Sequence, residues 1–363
     1  MRVVQVAPFY YPIIGGVEKV VKEISEFLVT KGHEVFVVTY NRDRRHMTNF
    51  KPVEDINGVK VIRVKPLLIW SHGSYSPSIP KIVKSLNPDI VHVHVWRHPH
   101  VFQLSGISSV KILQPHSPFY NIGQVGYITY IYYKFIDNLL GKSIIRKYNI
   151  ISMTPFEQEI LIKKFGINSK LIPNGVDDKL FSISSKGDDF YLYIGRISKE
   201  KNILTMLRAY EKSNVKRPLI LAGPDNGLAK EVIKYIRARN INAKYIGEVT
   251  DEDKINLLSR CRSLVNPSPY EGFGLTLLEA EAIGKPTIIV GHGGQEYAAP
   301  PDKASIRVNN DVESLSEAFI RMEDDILYKK LSDGAKSWAE NFRLSKILNI
   351  YLEYYLELVK IWN

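Results

Sequence analysis

Residues 190–202 read FYLYIGRISKEKN: an apolar run, a glycine, then a loop carrying Arg196, Lys199, Glu200 and Lys201. An unbroken apolar run of this length reads as a strand buried on both faces, the kind found in parallel α/β sheets, where ligands sit at the carboxyl ends of the strands. The preceding stretch, VDDKLFSISSKGDD (176–189), is rich in Ser, Asp and Gly and reads as a linker. The strand at 190 therefore restarts a rhythm that the chain has already run through once. Upstream, RVVQVA (2–7), HEVFVVTY (33–40), VKVIRV (59–64), DIVHVHV (89–95), VKILQ (110–114), IISMT (150–154) and KLIPN (170–174) alternate with amphipathic segments. Downstream, PLILAG (218–223), AKYIGEV (243–249), SLVNPS (263–268), PTIIVG (286–291) and ASIRV (304–308) do the same. The expectation is an α/β protein of two doubly wound, parallel-sheet domains, residues 1–175 and 190–340, with a ligand cleft between them. The amphipathic, aromatic tail 336–363 is expected to be helical and to pack across a domain surface.

A length of 363 residues suits two such domains, and a single cysteine, Cys261, excludes a disulfide framework and favours a reducing compartment. No apolar run is long enough to span a bilayer, and MRVVQVAPFY reads as a first strand rather than a leader, so a cytoplasmic protein is expected. Charge is divided unevenly. Residues 1–175 hold 22 Lys and Arg against 11 Asp and Glu, whereas residues 176–363 hold 27 of each. Either the surplus serves solubility, or the first half meets something anionic: nucleic acid, a membrane surface or a phospholipid-like acceptor.

Three motifs follow strands. Gly15-Gly16 opens a helix after the first strand, where glycines let a ligand approach and the helix N-terminus favours an anion; a purely structural turn is the other reading. Arg196 and Lys201, five residues apart after a strand, suit a loop that folds two cations onto one diphosphate, and with both in place no metal is required; a solvated charged loop is the alternative. In SPYEGFGLTLLEA (268–280), the turn Gly272-Phe273-Gly274 runs through Leu275 and Thr276 into a helix whose free amides suit phosphate oxygens. Carboxylates beside an anion site would repel it unless they faced hydroxyls, so Glu271 and Glu279 are read as partners of sugar and ribose hydroxyls. Glu281 is read as solvated.

Together GGVE (15–18), HVH (92–94), PNGVD (173–177), GRISKEKN (195–202), LAGP (221–224), IGEV (246–249) and EGFGLTLLE (271–279) resemble, in order and over essentially the whole chain, the retaining GT-B glycosyltransferases of family 4 (glycosyl transferases group 1). The resemblance implies two Rossmann-like domains and a C-terminal helix, 341–363, returning to the first. It implies that Arg196 and Lys201 bind the diphosphate of a UDP-, GDP- or ADP-sugar and that Glu279 binds its ribose. By the same likeness Glu271 holds sugar hydroxyls, Phe273, Gly274, Leu275 and Thr276 supply backbone contacts, and Gly15 and Gly16 touch phosphate or acceptor. His116 matches a histidine beside the reacting sugar and is assigned to sugar positioning; a satisfied loop histidine is the alternative. The implied activity is transfer of a hexose, glucose or mannose type, to an acceptor hydroxyl with retention, by front-face displacement without a cofactor or metal. A lipid-linked glycan or polysaccharide precursor is the expected acceptor, with domain closure around the donor.

Four histidines in VHVHVWRHPH (His92, His94, His98, His100) raise a zinc site, set aside for want of nearby cysteines. The Tyr- and Ile-rich stretch 117–149 suits either a peripheral membrane contact or buried helices. The loop 41–51 is basic, and either borders the acceptor or is merely solvated. A nucleotide-sugar epimerase of the same fold and a non-catalytic binding protein are the rival functions; nucleic acid is not expected as a partner.

Overall fold

A computed structural model describes residues 1–43, 46–70, 73–117, 119 and 125–362. The chain forms two compact units, Met1–Pro173 with Ile347–Asn363, and Asn174–Lys346.

The first unit is built on an eight-stranded sheet of β1 (Arg2–Val6), β2 (Glu34–Tyr40), β3 (Val53–Ile56), β4 (Val59–Val64), β7 (Ile90–His94), β8 (Val110–Gln114), β9 (Asn149–Ser152) and β10 (Lys170–Leu171), with a separate hairpin of β5 (Leu68–Trp70) and β6 (Gly73–Tyr75). Its order is β10-β9-β8-β7-β1-β2-β4-β3. Every pair is parallel except β3 with β4. That antiparallel edge corrects the expectation of a wholly parallel sheet. Its cause is the dipeptide Asn57-Gly58, held at φ 53° and 81°, the two-residue hairpin turn that the word NG favours. Central strands are buried on both faces, with Val3, Val4, Gln5 and Val6 of β1 all at 0% exposure, as helical layers on each side require.

The second unit has a six-stranded, all-parallel sheet of β11 (Phe190–Ile194), β12 (Leu219–Ala222), β13 (Ala243–Tyr245), β14 (Cys261–Asn266), β16 (Thr287–Ile289) and β18 (Ser305–Arg307), ordered β13-β12-β11-β14-β16-β18. Two short strands, β15 (Tyr270–Glu271) and β17 (His292–Gly293), pair separately.

The stretch 176–189 is not a free linker. Val176 N–H donates to the Phe342 carbonyl (2.8 Å), and Lys186 and Asp189 N–H donate to the Ser259 and Arg260 carbonyls (2.9 Å each). Leu180 and Phe181 are buried. Polar composition marked its exposed positions, while three apolar residues and paired backbone lay it along the second unit. The basic loop is likewise more than solvated: Arg42 is buried and donates to the Asp43 carbonyl and to Ser74 Oγ. Arg44 and Arg45 lie outside the described residues.

The C-terminal helix, Leu344–Trp362, returns to the first unit from Ile347 onward. Ile347, Tyr351 and Tyr355, one turn apart, form its buried stripe. The phenols meet a polar row on the sheet. Tyr351 hydroxyl donates to Gln114 Oε1 (3.1 Å), and Tyr355 hydroxyl lies 3.2 Å from Gln5 Nε2 and 2.5 Å from His92 Nδ1.

Candidate active site

In the second unit the candidate residues gather at the carboxyl ends of β11 and β14. Three strands end in glycine there, and the backbones touch: a Cβ on Gly223 would lie 2.1 Å from the Gly195 carbonyl oxygen, while Gly223 N–H donates to the Gly247 carbonyl (2.7 Å). This close packing explains the glycines of IGR, LAGP and IGEV. The loop after β11 is stapled to its neighbour by Ile197 N–H to the Pro224 carbonyl (2.9 Å) and Asn226 N–H to the Ile197 carbonyl (3.0 Å). From it Arg196 stands exposed, with no side-chain hydrogen bond among the described residues, and Lys201 Nζ pairs with Glu271. One cation is thus open and the other is neutralised by the carboxylate expected to face a sugar.

Glu271 is held by β15, whose partner is Gly293. Gly294 then passes so close that a Cβ would sit 2.5 Å from the Glu271 carbonyl oxygen. Gln295 is buried, donates to the Ser268 carbonyl (2.6 Å) and accepts from Gly291 N–H (3.1 Å). This GHGGQ segment lies outside the three motifs above, although it repeats their glycine-after-strand signal. Phe273 is a core residue, edge-on to Tyr297 and Phe342, so only its backbone faces outward chemistry. Gly274, at φ 95°, starts the helix Leu275–Ala282 without a side-chain cap. The Leu275 and Thr276 amides have no partner among the described residues, which leaves donors for an anion.

Glu279 is buried and its two oxygens lie 3.0 and 3.1 Å from Lys254 Nζ. That lysine was not singled out, since nothing in sequence marks a partner 25 residues away. Glu281 corrects the expectation of a solvated residue. It is fully buried, neither oxygen has a hydrogen-bond partner among the described residues, and burial pushes its carboxyl well above the usual range.

In the first unit the helix Gly16–Thr30 follows β1 with Gly15 as an uncapped N-cap, and a Cβ on Gly16 would meet nothing within 4 Å. Nothing among the described residues requires glycine at 16. At the ends of β7 and β8, Val95, Arg97, His116 and Ser117 all have φ between 50° and 72°. A β-branched residue and two consecutive non-glycines in the left-handed region are strained conformations that need outside support. Arg97 pairs with buried Asp137 (2.7 Å) and stacks on Tyr133 (4.1 Å). Ser117 N–H donates to Glu157 Oε1 (2.7 Å), whose other oxygen accepts from Met153 N–H (2.8 Å). His116 is half-buried, and its Nε2 lies 2.9 Å from His94 Nδ1. The histidine-rich stretch is spent on contacts of this kind: His92 to Tyr355, His94 to Gln5 and His116, His100 Nε2 to the His94 carbonyl (2.9 Å).

Residues 14–180 match the family model described as Glycosyltransferase Family 4, and residues 177–338 match that described as Glycosyl transferases group 1. O-antigen chain mannosyltransferase C of Escherichia coli is 25% identical, with 99% of each chain covered. A GDP-mannose-dependent alpha-(1-6)-phosphatidylinositol dimannoside mannosyltransferase of Mycobacterium tuberculosis is 26% identical over 80% of this chain and 79% of its own. Sucrose-phosphate synthase from Thermosynechococcus elongatus has a similar structure, with a TM-score of 0.79 at 19% identity and 99% of each chain covered. The Anabaena protein HepE, in complex with UDP and glucose, gives 0.74 at 16% identity, covering 98% of this chain and 99% of its own. Matched along both halves and built on two Rossmann-like sheets, the chain belongs to the GT-B glycosyltransferases of the group 1 and family 4 type.

Proposed function

We propose that this glycosyltransferase moves a hexose of the glucose or mannose type from a nucleotide diphosphate sugar to an acceptor hydroxyl, with retention and without a metal. The observation that carries the reading is the grouping at the end of the second sheet: exposed Arg196, Lys201 on Glu271, and the uncapped helix start at Leu275–Thr276. Two permanent cations and free amides suit a leaving diphosphate. As the diphosphate draws Lys201 away, Glu271 is released toward sugar hydroxyls; Glu279 turns in the same way from Lys254 to the ribose. Gly15 and Gly16 give phosphate or acceptor room at a second helix start, and His116 meets a hydroxyl of the sugar. The leaving phosphate takes the acceptor proton, so the protein supplies position and charge rather than a nucleophile.

The acceptor proposed is a lipid-linked glycan or polysaccharide precursor, reached at an anionic membrane surface. Named relatives act on such acceptors, among them one whose name carries diphospho-undecaprenol. No helix among the described residues is long and apolar enough to cross a membrane. On the helix Tyr127–Ile136, however, Ile128 (84% exposed), Ile131, Tyr132 and Phe135 make an outward stripe at i, i+3, i+4, i+7, and Leu139 and Leu140 follow it. Lys134, Lys142, Arg146 and Lys147 are exposed alongside, and the one acid of the stretch, Asp137, is buried between Arg97 and Lys164. Apolar side chains fringed by cations suit lipid headgroups. Residues 118 and 120–124 lie outside the described part.

Thermal stabilisation by UDP-, GDP- and ADP-sugars in EDTA tests the donor site. One nucleotide should raise Tm, and Arg196→Ala and Glu279→Ala should each weaken its affinity roughly 10- to 100-fold. Absence of any response to all three would refute the reading.

A further inference from the structure

Tyr355 of the C-terminal helix and three side chains beneath it form one continuous chain of hydrogen bonds ending at His116. Tyr355 hydroxyl lies 2.5 Å from His92 Nδ1 and 3.2 Å from Gln5 Nε2; Gln5 Oε1 lies 2.7 Å from His94 Nε2; His94 Nδ1 lies 2.9 Å from His116 Nε2. Gln5, His92, His94 and Tyr355 are all at 0% exposure.

We propose that Gln5, His94 and Tyr355 are positioning residues that hold His116 in a single neutral tautomer, protonated on Nε2, with Nδ1 kept as an acceptor for a sugar hydroxyl. Given the orientation of the Gln5 amide, Nε2 toward Tyr355 and Oε1 toward His94, the proton pattern follows from what each atom is able to do. With its Nε2 donating to Tyr355, Gln5 turns its carbonyl oxygen to His94, and a carbonyl oxygen only accepts. His94 Nε2 therefore carries the proton, which in a neutral ring leaves Nδ1 bare. His116 Nε2 must then donate to it, and His116 Nδ1 is bare in turn. Tyr355 closes the far end by donating to His92 Nδ1.

Neutrality is built in. His92 and His94 lie with ring centroids 4.1 Å apart, and among the described residues the hydrogen-bond partners of His92, His94 and His116 include no carboxylate. Burial lowers the pKa of all three, that of His116 to about 3. A glutamate in place of Gln5 would supply the missing counter-charge; the amide fixes direction without adding charge.

The consequence is a selection rule, resting on the reading above in which His116 meets the transferred sugar. A bare Nδ1 accepts from a hydroxyl and repels groups that only accept. Donors with a carboxylate or fluorine in place of that hydroxyl are disfavoured, by roughly 10- to 100-fold in kcat/KM.

The test is a two-bond 1H–15N spectrum of the full chain labelled in its histidine rings, with His116 assigned through His116→Gln. The expected result is the Nε2–H pattern for His94 and His116, unchanged between about pH 5.5 and 8. In Gln5→Met the His116 nitrogens should move toward a tautomer average, and discrimination between the hydroxyl and fluoro donors should narrow. An Nδ1–H pattern at His116 in the wild type overturns the proposal, as does a His116 signal indifferent to Gln5→Met. The wild-type spectrum decides the matter even where the variant does not fold. Because it is recorded without substrate, an inactive protein with Nε2–H His116 sinks the transferase reading alone, and an active one with Nδ1–H His116 sinks the positioning set alone.

Discussion

Gly16 separates folding from function within one residue. A methyl group there meets no atom of the described residues within 4 Å, and alanine also limits the unfolded chain, so Gly16→Ala should hold stability or raise it by about 0.5–1 kcal/mol. If the clearance serves a ligand at the helix start, the same substitution should cut kcat/KM at least about tenfold. Urea unfolding beside a transfer assay checks both, and an unimpaired variant would return Gly16 to an ordinary turn. Residue identity was legible wherever the backbone dictates it, as at Gly195, Gly223 and Gly274. It was not legible for Glu281, two positions from Glu279. Both sit in LTLLEAEA, and only packing shows that one carboxylate meets Lys254 while the other is sealed away without a partner among the described residues.

Among elements, the helix Pro155–Phe165 has a task that no motif announced. Its Glu157 bonds the amides of Ser117 and Met153 and so braces the strained turn at His116. Burial pushes the Glu157 carboxyl up from 4.5 to about 7. Its folded pKa is raised, so its contribution is complete below about pH 4.5 and is lost as pH rises to about 7, by roughly 3 kcal/mol. The buried histidines have the opposite sign: lowered on folding, they contribute fully above about pH 6.5 and lose it as pH falls. Glu157→Gln should be less stable at low pH, by about 1–3 kcal/mol, and its deficit should shrink between pH 4.5 and 7. Urea titrations across that range check it, and a constant deficit would show that Glu157 is ionised throughout. At this scale the strands were readable from their apolar runs. The β3–β4 hairpin is equally legible in Asn57-Gly58, a turn word inside the strand–helix rhythm.

Over the whole molecule, the charge surplus and the exposed stripe of Tyr127–Ile136 fall in the same unit. The chain should sediment with vesicles containing anionic lipid, less so at high salt, and hardly with neutral ones. Ile128→Glu with Phe135→Glu should weaken that binding at least about tenfold and leave Tm unchanged, because both side chains are exposed. Equal binding to neutral and anionic vesicles would count against an electrostatic contribution.

The sequence by itself determined two α/β sheets, parallel but for the β3–β4 edge, their glycine-ended strands and a set of candidate residues after those strands, because short-range periodicity and backbone freedom are local properties. Tertiary structure alone decided that Lys201 rests on Glu271, that Lys254 holds Glu279, and that Gln5, His94 and Tyr355 lead to His116. Those partners stand 70, 25 and up to 350 residues apart. A hydrogen bond requires atoms within about 3 Å of each other, a condition that packing meets and spacing along the chain does not record.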